Sequence, residues 1–428
     1  MAEKLKRSLG LWDSASMVAG IVLGAGIFVV PGLIARELPS APWIMAAWIA
    51  AGLLSFLGAL VFAELGAMIP ETGGHYVFLR EAFGDLPAFL CGWTFFVVIQ
   101  PSVTAYLAAN FAQYLGYFVS IPPLAAGLGL IVALGAVNYF GIRWGARVQN
   151  VFTAAKLLGV AILIGSAWFV PATPAPPAAS VTAPAFGVAM IACLMAFEGW
   201  SYLSFIAGEV RDPQRNLVRA VAIGLGVCGA IYLLANAAYL RVLTIEELTA
   251  SPRPGALAAE RTLGSFGGTL VSLVILVAIV GSANGQLLAP ARVYFAQARD
   301  GLFFRRFAEV HPRHGSPYWA LLGVSVWSAM FLLTNAWQTL LNYAIFSNWL
   351  IVTGVIASLI ALRRRQPDRP RPFRMWGYPA TAYLFLALAI AFCANTLIER
   401  SRDSAVALVL ILAGVPVFYG TLKRWTRS

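Results

Sequence analysis

Charge is scarce in this chain. Only 11% of its 428 residues are Asp, Glu, Lys or Arg, against 60% hydrophobic, and the mean hydropathy is +0.78. A soluble domain carries about 25% charged residues, so the composition excludes one and points to a polytopic membrane protein. Histidine is scarcer still: the chain has three, all expected in loops, too few for the metal cluster or nucleophile-and-base set of a membrane enzyme. The four cysteines, Cys91, Cys193, Cys228 and Cys393, lie inside apolar runs without metal-site spacing, and are read as core thiols rather than disulfides. No polar stretch is long enough for a separate soluble domain. A cleavable leader is also unexpected, because the apolar run after Lys4, Lys6 and Arg7 is too long for the core of a signal peptide.

What is present is apolar sequence in lengths that fit a bilayer. A membrane-crossing helix needs roughly 20 mostly apolar residues, and twelve such stretches are centred near residues 25, 55, 100, 133, 159, 196, 229, 282, 327, 350, 388 and 413. An even number puts both termini on one side. With those termini inside, 23 of the 30 Lys and Arg fall on inner segments and six fall outside: Arg36, Arg241, Arg253, Arg261, Arg400 and Arg402. Positive charge near helix ends resists translocation, so both termini are assigned to the cytoplasm. The same bias explains the net charge of +12 and the pI near 9.8 without nucleic acid. The dense run of Arg363, Arg364, Arg365, Arg369, Arg371 and Arg374 is read as a topology anchor meeting anionic headgroups.

Two stretches are interrupted midway, the first by Gly24-Ala25-Gly26-Ile27-Phe28 and the sixth by Phe197-Glu198-Gly199-Trp200. An unwound helix exposes N–H and C=O groups at membrane depth, where they form a site for a polar solute. Units of five helices starting at each interruption have an odd number of crossings, so they run in opposite senses. The expected fold is therefore all-α, with twelve transmembrane helices in a single domain: repeat one about 12–170, repeat two about 184–362, and helices 11 and 12 about 378–422 outside the repeats. The proline-rich, uncharged 171–184 segment is expected to be a short cap.

Each candidate residue has a bland alternative. Gly20 and Gly24 are four apart, a spacing also used for close helix packing. Glu198 costs several kcal/mol at its depth unless paired or facing water, which makes a functional role the default. Lys156 is expected about eight residues into its helix, roughly 12 Å from its start, and either snorkels to the interface or forms an internal cation. His311 and His314 are read as surface rather than metal, and Glu64 as a cap or an ion-pair partner near the end of the second stretch.

Several motifs together resemble the amino acid, polyamine and organocation transporter superfamily, most closely its L-type amino acid transporter branch. They are GAGIF at 24–28, PETGGHYVFLREAFG at 70–84, QNVFTAAKLL at 149–158, FEGWSYLSFIAGEVRDP at 197–213, ARVYFAQARDGLF at 291–303 and RPFRMWGYP at 371–379. The resemblance implies a leucine-transporter-type 5+5 inverted repeat with discontinuous helices 1 and 6, plus two further helices, working by alternating access on free amino acids. It places the substrate carboxylate at Gly24, Ala25 and Gly26. The α-ammonium falls at carbonyls around Val22, Leu23, Met195, Ala196 and Glu198, with Phe197 and Gly199 completing the second break. It maps Lys156 onto the helix 5 lysine that sodium-independent members hold near a vacated sodium site, with Ser282 as the nearest hydroxyl. Three residues depart from the family pattern: Ala25 replaces a commoner serine, Met195 an aromatic gate, and Glu198 a Gly or Asp.

The expected activity is sodium-independent exchange or facilitated transport of neutral L-amino acids, without cofactor. The alternatives are a polyamine or cationic amino acid carrier, proton-coupled or not, and a non-transporting amino acid sensor. The loop around Ser120-Ile121-Pro122-Pro123 has no cysteine, so no disulfide-linked heavy subunit is expected. The short termini carry the expectation of a bacterial inner-membrane carrier acting as a monomer.

Overall fold

A computed structural model describes residues 5–24, 26–174, 180–251 and 253–425, so the middle of the 171–184 segment lies outside the described residues. Among them the regular structure is helical, and the one pairing of extended backbone is a parallel bridge between Leu9 and Val210. Among the described residues nine helices are long and apolar enough to cross a membrane. A tenth span results if Leu11–Val22 and Gly26–Glu37, bent by 46° where they meet, count as one. The stretches expected near 133 and 327 form the helices Pro123–Tyr139 and Tyr318–Leu333, apolar but of only 17 and 16 residues.

Local chemistry explains the irregularities. Pro101 has no N–H to give the Val97 carbonyl, and its ring crowds that oxygen. The helix responds with a π-turn over Phe95–Ile99, and the indole Nε1 of Trp327 donates to the Val97 oxygen at 3.3 Å. The sixth stretch begins as the α-helix Ala183–Ala196, turns at Gly199 with φ 121°, and continues as the 3-10 helix Trp200–Glu209. Only glycine adopts that φ without strain.

The half-helix Leu11–Val22 sits at the centre, against Ile142–Ser166, Pro213–Val242 and Ser265–Leu288. A Cβ at Gly20 would run into Gln149 and Thr153, so here the packing reading holds. Gly24 has open space, with only the Ser282 hydroxyl within 3.9 Å of a would-be Cβ.

One face of the molecule is closed by buried ion pairs and rings. Arg292 Nε donates to Glu209 Oε1 at 2.8 Å, with both side chains at most 1% exposed. Glu64, fully buried, accepts from Arg363 Nε at 2.8 Å and Nη2 at 2.6 Å, and from the Met375 N–H at 2.7 Å. Glu64 is thus a pairing residue. Arg80 and the Tyr76 hydroxyl both reach Asp300, at 2.6 and 2.9 Å. His75, also fully buried, lies among the rings of Phe62, Phe95 and Phe205 at 4.9, 5.6 and 4.5 Å. Burial without a partner for either nitrogen pushes its pKa down to about 3.

The arginine run at 363–374 needs a correction. Besides the Arg363 pair, Arg365 donates to the Ala82 carbonyl at 2.7 Å, Arg369 to Glu81 at 2.6 Å, and Arg371 to the Gln366 and Leu362 carbonyls at 2.7 and 3.2 Å. Much of this charge staples the closed face together instead of waiting for headgroups. The sequence pattern hid the long-range part of this, because the acceptors of Arg363, Arg365 and Arg369 lie 299, 283 and 288 positions away in the chain.

Candidate functional site

Helix ends create the site. The half-helix Leu11–Val22 ends in carbonyls without intrahelical acceptance, and the half-helix Gly26–Glu37 begins with N–H groups lacking intrahelical acceptors. A cavity of about 320 Å³ lies between them and the second break, within the roughly 300–1,000 Å³ of small-molecule sites. Val22, Gly24 and Gly26 line it from the first break, and Met195, Ala196 and Glu198 from the second. Ser282, Gln286, Tyr202, Asn348 and Trp349 complete the polar part of the wall, while Ile99, Val103, Leu107 and Ile345 supply an apolar part. Met195 is 44% exposed and lies on the cavity wall.

Lys156 does not snorkel. Its helix begins at Ile142, earlier than expected, so the residue lies about 21 Å along it at 1.5 Å per residue. Its side chain is 1% exposed, and Nζ donates to the carbonyls of Gly20 and Leu23, each at 2.7 Å, with Ala278 O at 3.5 Å. Three N–H donors thus meet three carbonyls. Ser282 Oγ adds a bond to the Gly20 oxygen at 3.3 Å.

The expected binding residues separate into two groups. Leu23 does not line the cavity; its carbonyl is turned to Lys156. Phe197, also expected at the second break, is 1% exposed, and its ring packs edge-on against Trp48 and Tyr232 at 6.0 and 4.8 Å, outside the cavity wall. Gly199 is absent from the wall and serves the turn, where a Cβ would meet Ile21 at 3.4 Å or less. The Gly24 N–H is engaged by the Val22 carbonyl at 2.8 Å, which leaves the opening N–H groups of the outer half-helix as the free donors. Ala25 lies outside the described residues.

Two residues escaped the sequence reading. The Tyr232 hydroxyl lies 2.9 Å from the Val22 oxygen and 2.7 Å from the Ala196 oxygen, so one buried phenol joins the two breaks. Asn348 Nδ2 donates to Glu198 Oε1 at 3.0 Å and so ties the second break to the helix Trp337–Arg365. A signal existed for Asn348, a lone amide between Phe346 and Trp349 in an apolar stretch, where polar groups are costly. Tyr232 gave none, since tyrosine is ordinary in such helices.

His311 and His314 stack on each other with ring centroids 4.5 Å apart, and the described residues contain no metal-holding group of three or more His, Cys, Asp or Glu. The cysteines are unbridged thiols, as expected.

The family model described as "Amino acid permease" matches residues 9–418. The human large neutral amino acids transporter small subunit 2 is 32% identical over 435 residues, covering 97% of this chain and 80% of that protein. The serine/threonine exchanger SteT of Bacillus subtilis is 31% identical over 435 residues, covering 98% of each. The human cystine/glutamate transporter is 30% identical over 434 residues, with 97% and 85% covered.

Proposed function

We propose a function from one premise: this chain belongs to the amino acid permease family. It is a transporter of amino acids, not an enzyme, and we read it as an exchanger or facilitator of neutral L-amino acids that needs no sodium. The single observation that carries the reading is the cavity between the two breaks, whose wall, among the described residues, contains no Lys or Arg and has Glu198 as its one carboxylate. A free amino acid needs donors for a carboxylate and acceptors for an ammonium. Gly26 opens the outer half-helix toward the cavity, and the oxygens of Val22, Ala196, Glu198 and Ser282 supply acceptors. An anionic side chain would find no cation in this wall, which argues against the substrate type named for the cystine/glutamate transporter. Apolar positions such as Ile99, Val103 and Ile345 favour a side chain without charge.

Lys156 supports sodium independence, because its three donors already occupy the carbonyls of Gly20, Leu23 and Ala278. The face at Glu209 is shut by a buried ion pair, consistent with one end state of alternating access. For the fold we favour twelve transmembrane helices in a 5+5 inverted repeat over 12–170 and 184–362, with two further helices over 378–422. Both termini lie in the cytoplasm of a bacterial inner membrane, and the carrier works as a monomer without a disulfide-linked subunit.

The test is counterflow into proteoliposomes across a panel of amino acids, with sodium and pH varied. Neutral amino acids are expected to exchange equally in sodium and choline buffers. Preference for arginine or putrescine would move the reading to a cationic carrier acting through Glu198. Saturable binding with no flux would make the protein a sensor.

A further inference from the structure

A second cavity, of about 540 Å³, opens on the closed face, apart from the site above. Three pieces of chain build its wall: the N-terminal segment with Lys6 and Ser8, the start of Ile142–Ser166 with Arg143 and Arg147, and the loop bearing His311 and Arg313. These pieces are held in place. Ser8 N donates to Glu209 O at 2.8 Å and Arg211 N to Leu9 O at 2.9 Å, fixing the N-terminal segment. On the opposite wall the Phe140 ring lies 5.2 Å from that of His314, and Gly141, at φ 101°, lets the backbones close together.

The charge in this cavity is unbalanced. Lys6, Arg143, Arg147 and Arg313 form no ion pair with any carboxylate among the described residues. The carboxylate in the wall, Glu209, is already engaged by the buried Arg292. Other arginines, such as Arg305, Arg364 and Arg374, are likewise outside the ion pairs, and these four cations differ in that they line one cavity. Like charges gathered in a concavity repel one another and raise a focused positive potential. Further donors are present. The Ser8 hydroxyl lines the wall and is buried without a partner. His311 Nδ1 accepts from the N–H groups of Arg313 and His314 at 3.3 and 3.2 Å, which puts the proton of the neutral ring on Nε2.

We propose that this cavity binds a phosphate-bearing anion between Lys6, Arg143, Arg147 and Arg313. Arginine forks match phosphate oxygens in pairs, and cations from three pieces of chain lining one concavity suit an anionic phosphate group. The ligand is a lipid phosphate headgroup or a soluble pyrophosphate-type anion, the same chemistry from two sources. Trp144 and Phe140, 53% and 52% exposed, stand at the cavity as aromatic side chains do at headgroup level. An anion gripped by all three pieces would pin the N-terminal segment to the helix and the loop, and so hold this face shut.

The experiment uses the full chain, the triple variant Arg143→Gln/Arg147→Gln/Arg313→Gln, and the control Arg364→Gln/Arg374→Gln, which removes arginines that do not line the cavity. In detergent, pyrophosphate is titrated against the unfolding midpoint and against trypsin cleavage after Lys6 and Arg7. In nanodiscs, phosphatidylcholine alone is compared with a phosphatidylglycerol mixture by the same two readouts. A saturable rise in midpoint and slower cleavage are expected for wild type and control. Each arginine removed should weaken the response about tenfold, as loss of a charge-assisted contact does. A response to pyrophosphate identifies a soluble ligand, and one to phosphatidylglycerol alone a lipid headgroup; either supports the site. Should the triple variant misfold, Lys6→Gln, in the exposed N-terminal segment, is measured instead, with the same tenfold weakening expected. Equal responses in wild type and in the variants, in both arms, would overturn the proposal.

Discussion

Asn348 Nδ2 donates to Glu198 Oε1 at 3.0 Å, so the most unusual ionisable residue of the second break is anchored by an amide 150 positions away. The carboxylate therefore has a bracing partner that does not require a proton to leave. Glu198→Gln keeps an acceptor oxygen and is expected to retain exchange within a few-fold, with a pH profile overlaying that of wild type. Asn348→Ala removes the side-chain donor to this half-buried carboxylate, at about 1–3 kcal/mol, and is expected to slow exchange about tenfold or more. Flux measured from pH 5 to 8 decides the matter, and divergent profiles for Glu198→Gln would assign it to proton coupling.

Lys156→Ala removes the donor shared by Gly20 and Leu23, leaving the Leu23 carbonyl without that bond and the Gly20 carbonyl to the Ser282 hydroxyl next to the break. Counterflow should drop by at least about tenfold, while the unfolding midpoint changes comparatively little. An unaltered rate would reduce Lys156 to a packing residue, and wild-type flux that stops in choline buffer would end the sodium-independent reading.

Tyr232→Phe is a narrow test of the link between the breaks. The ring stays between Trp48 and Phe197, at 4.9 and 4.8 Å, and only the hydroxyl is lost. Losing that bond costs about 1 kcal/mol, and more if an oxygen is stranded. The expected result is a five- to tenfold fall in exchange by a normally folded protein, and full activity would show the two breaks to be positioned independently.

His75 makes a prediction about pH and stability. Its folded-state pKa is near 3, below the ordinary 6.5, so between those values the unfolded chain binds the extra proton. Stability then rises with pH across that window and falls as pH drops from 6.5 toward 3, by up to about 1.4 kcal/mol per pH unit from this group. His75→Phe, placed among Phe62, Phe95 and Phe205, should flatten this dependence. Unfolding midpoints of the two proteins at pH 7, 6, 5 and 4 give the comparison, and parallel curves would count against it.

Glu64→Ala should be the most damaging of these changes for folding. It strands the Arg363 guanidinium and the Met375 N–H at a fully buried position, and breaking a buried pair costs about 3–5 kcal/mol. A reduced midpoint and poor recovery from the membrane are the expected readings, and wild-type behaviour would mean that the closed face does not rely on this pair.

Much of this molecule was legible in its sequence for a simple reason. Apolar length is a property of contiguous residues, and a helix forms in response to it locally, so the twelve stretches each coincide with helical structure among the described residues. The interruptions at Gly24 and Gly199 were legible on the same ground, since glycine acts on its own backbone. Partnership was not legible. Lys156 could be placed on a helix, but its acceptors, Gly20 and Leu23, became visible only when two helices crossed where Gly20 leaves room. Phe197 and Glu198 are neighbours in sequence, yet the turn sends one into the aromatic core and the other to the cavity wall. The motifs at 70–84, 197–213, 291–303 and 371–379 contribute Arg80, Glu209, Arg292, Asp300 and Met375, which bind across the closed face rather than at the cavity. The sequence by itself determined where helices form and where they must break, because those depend on short-range chemistry. Only the tertiary structure decided which broken ends face a solute and which are already satisfied, because that depends on groups brought together from distant parts of the chain.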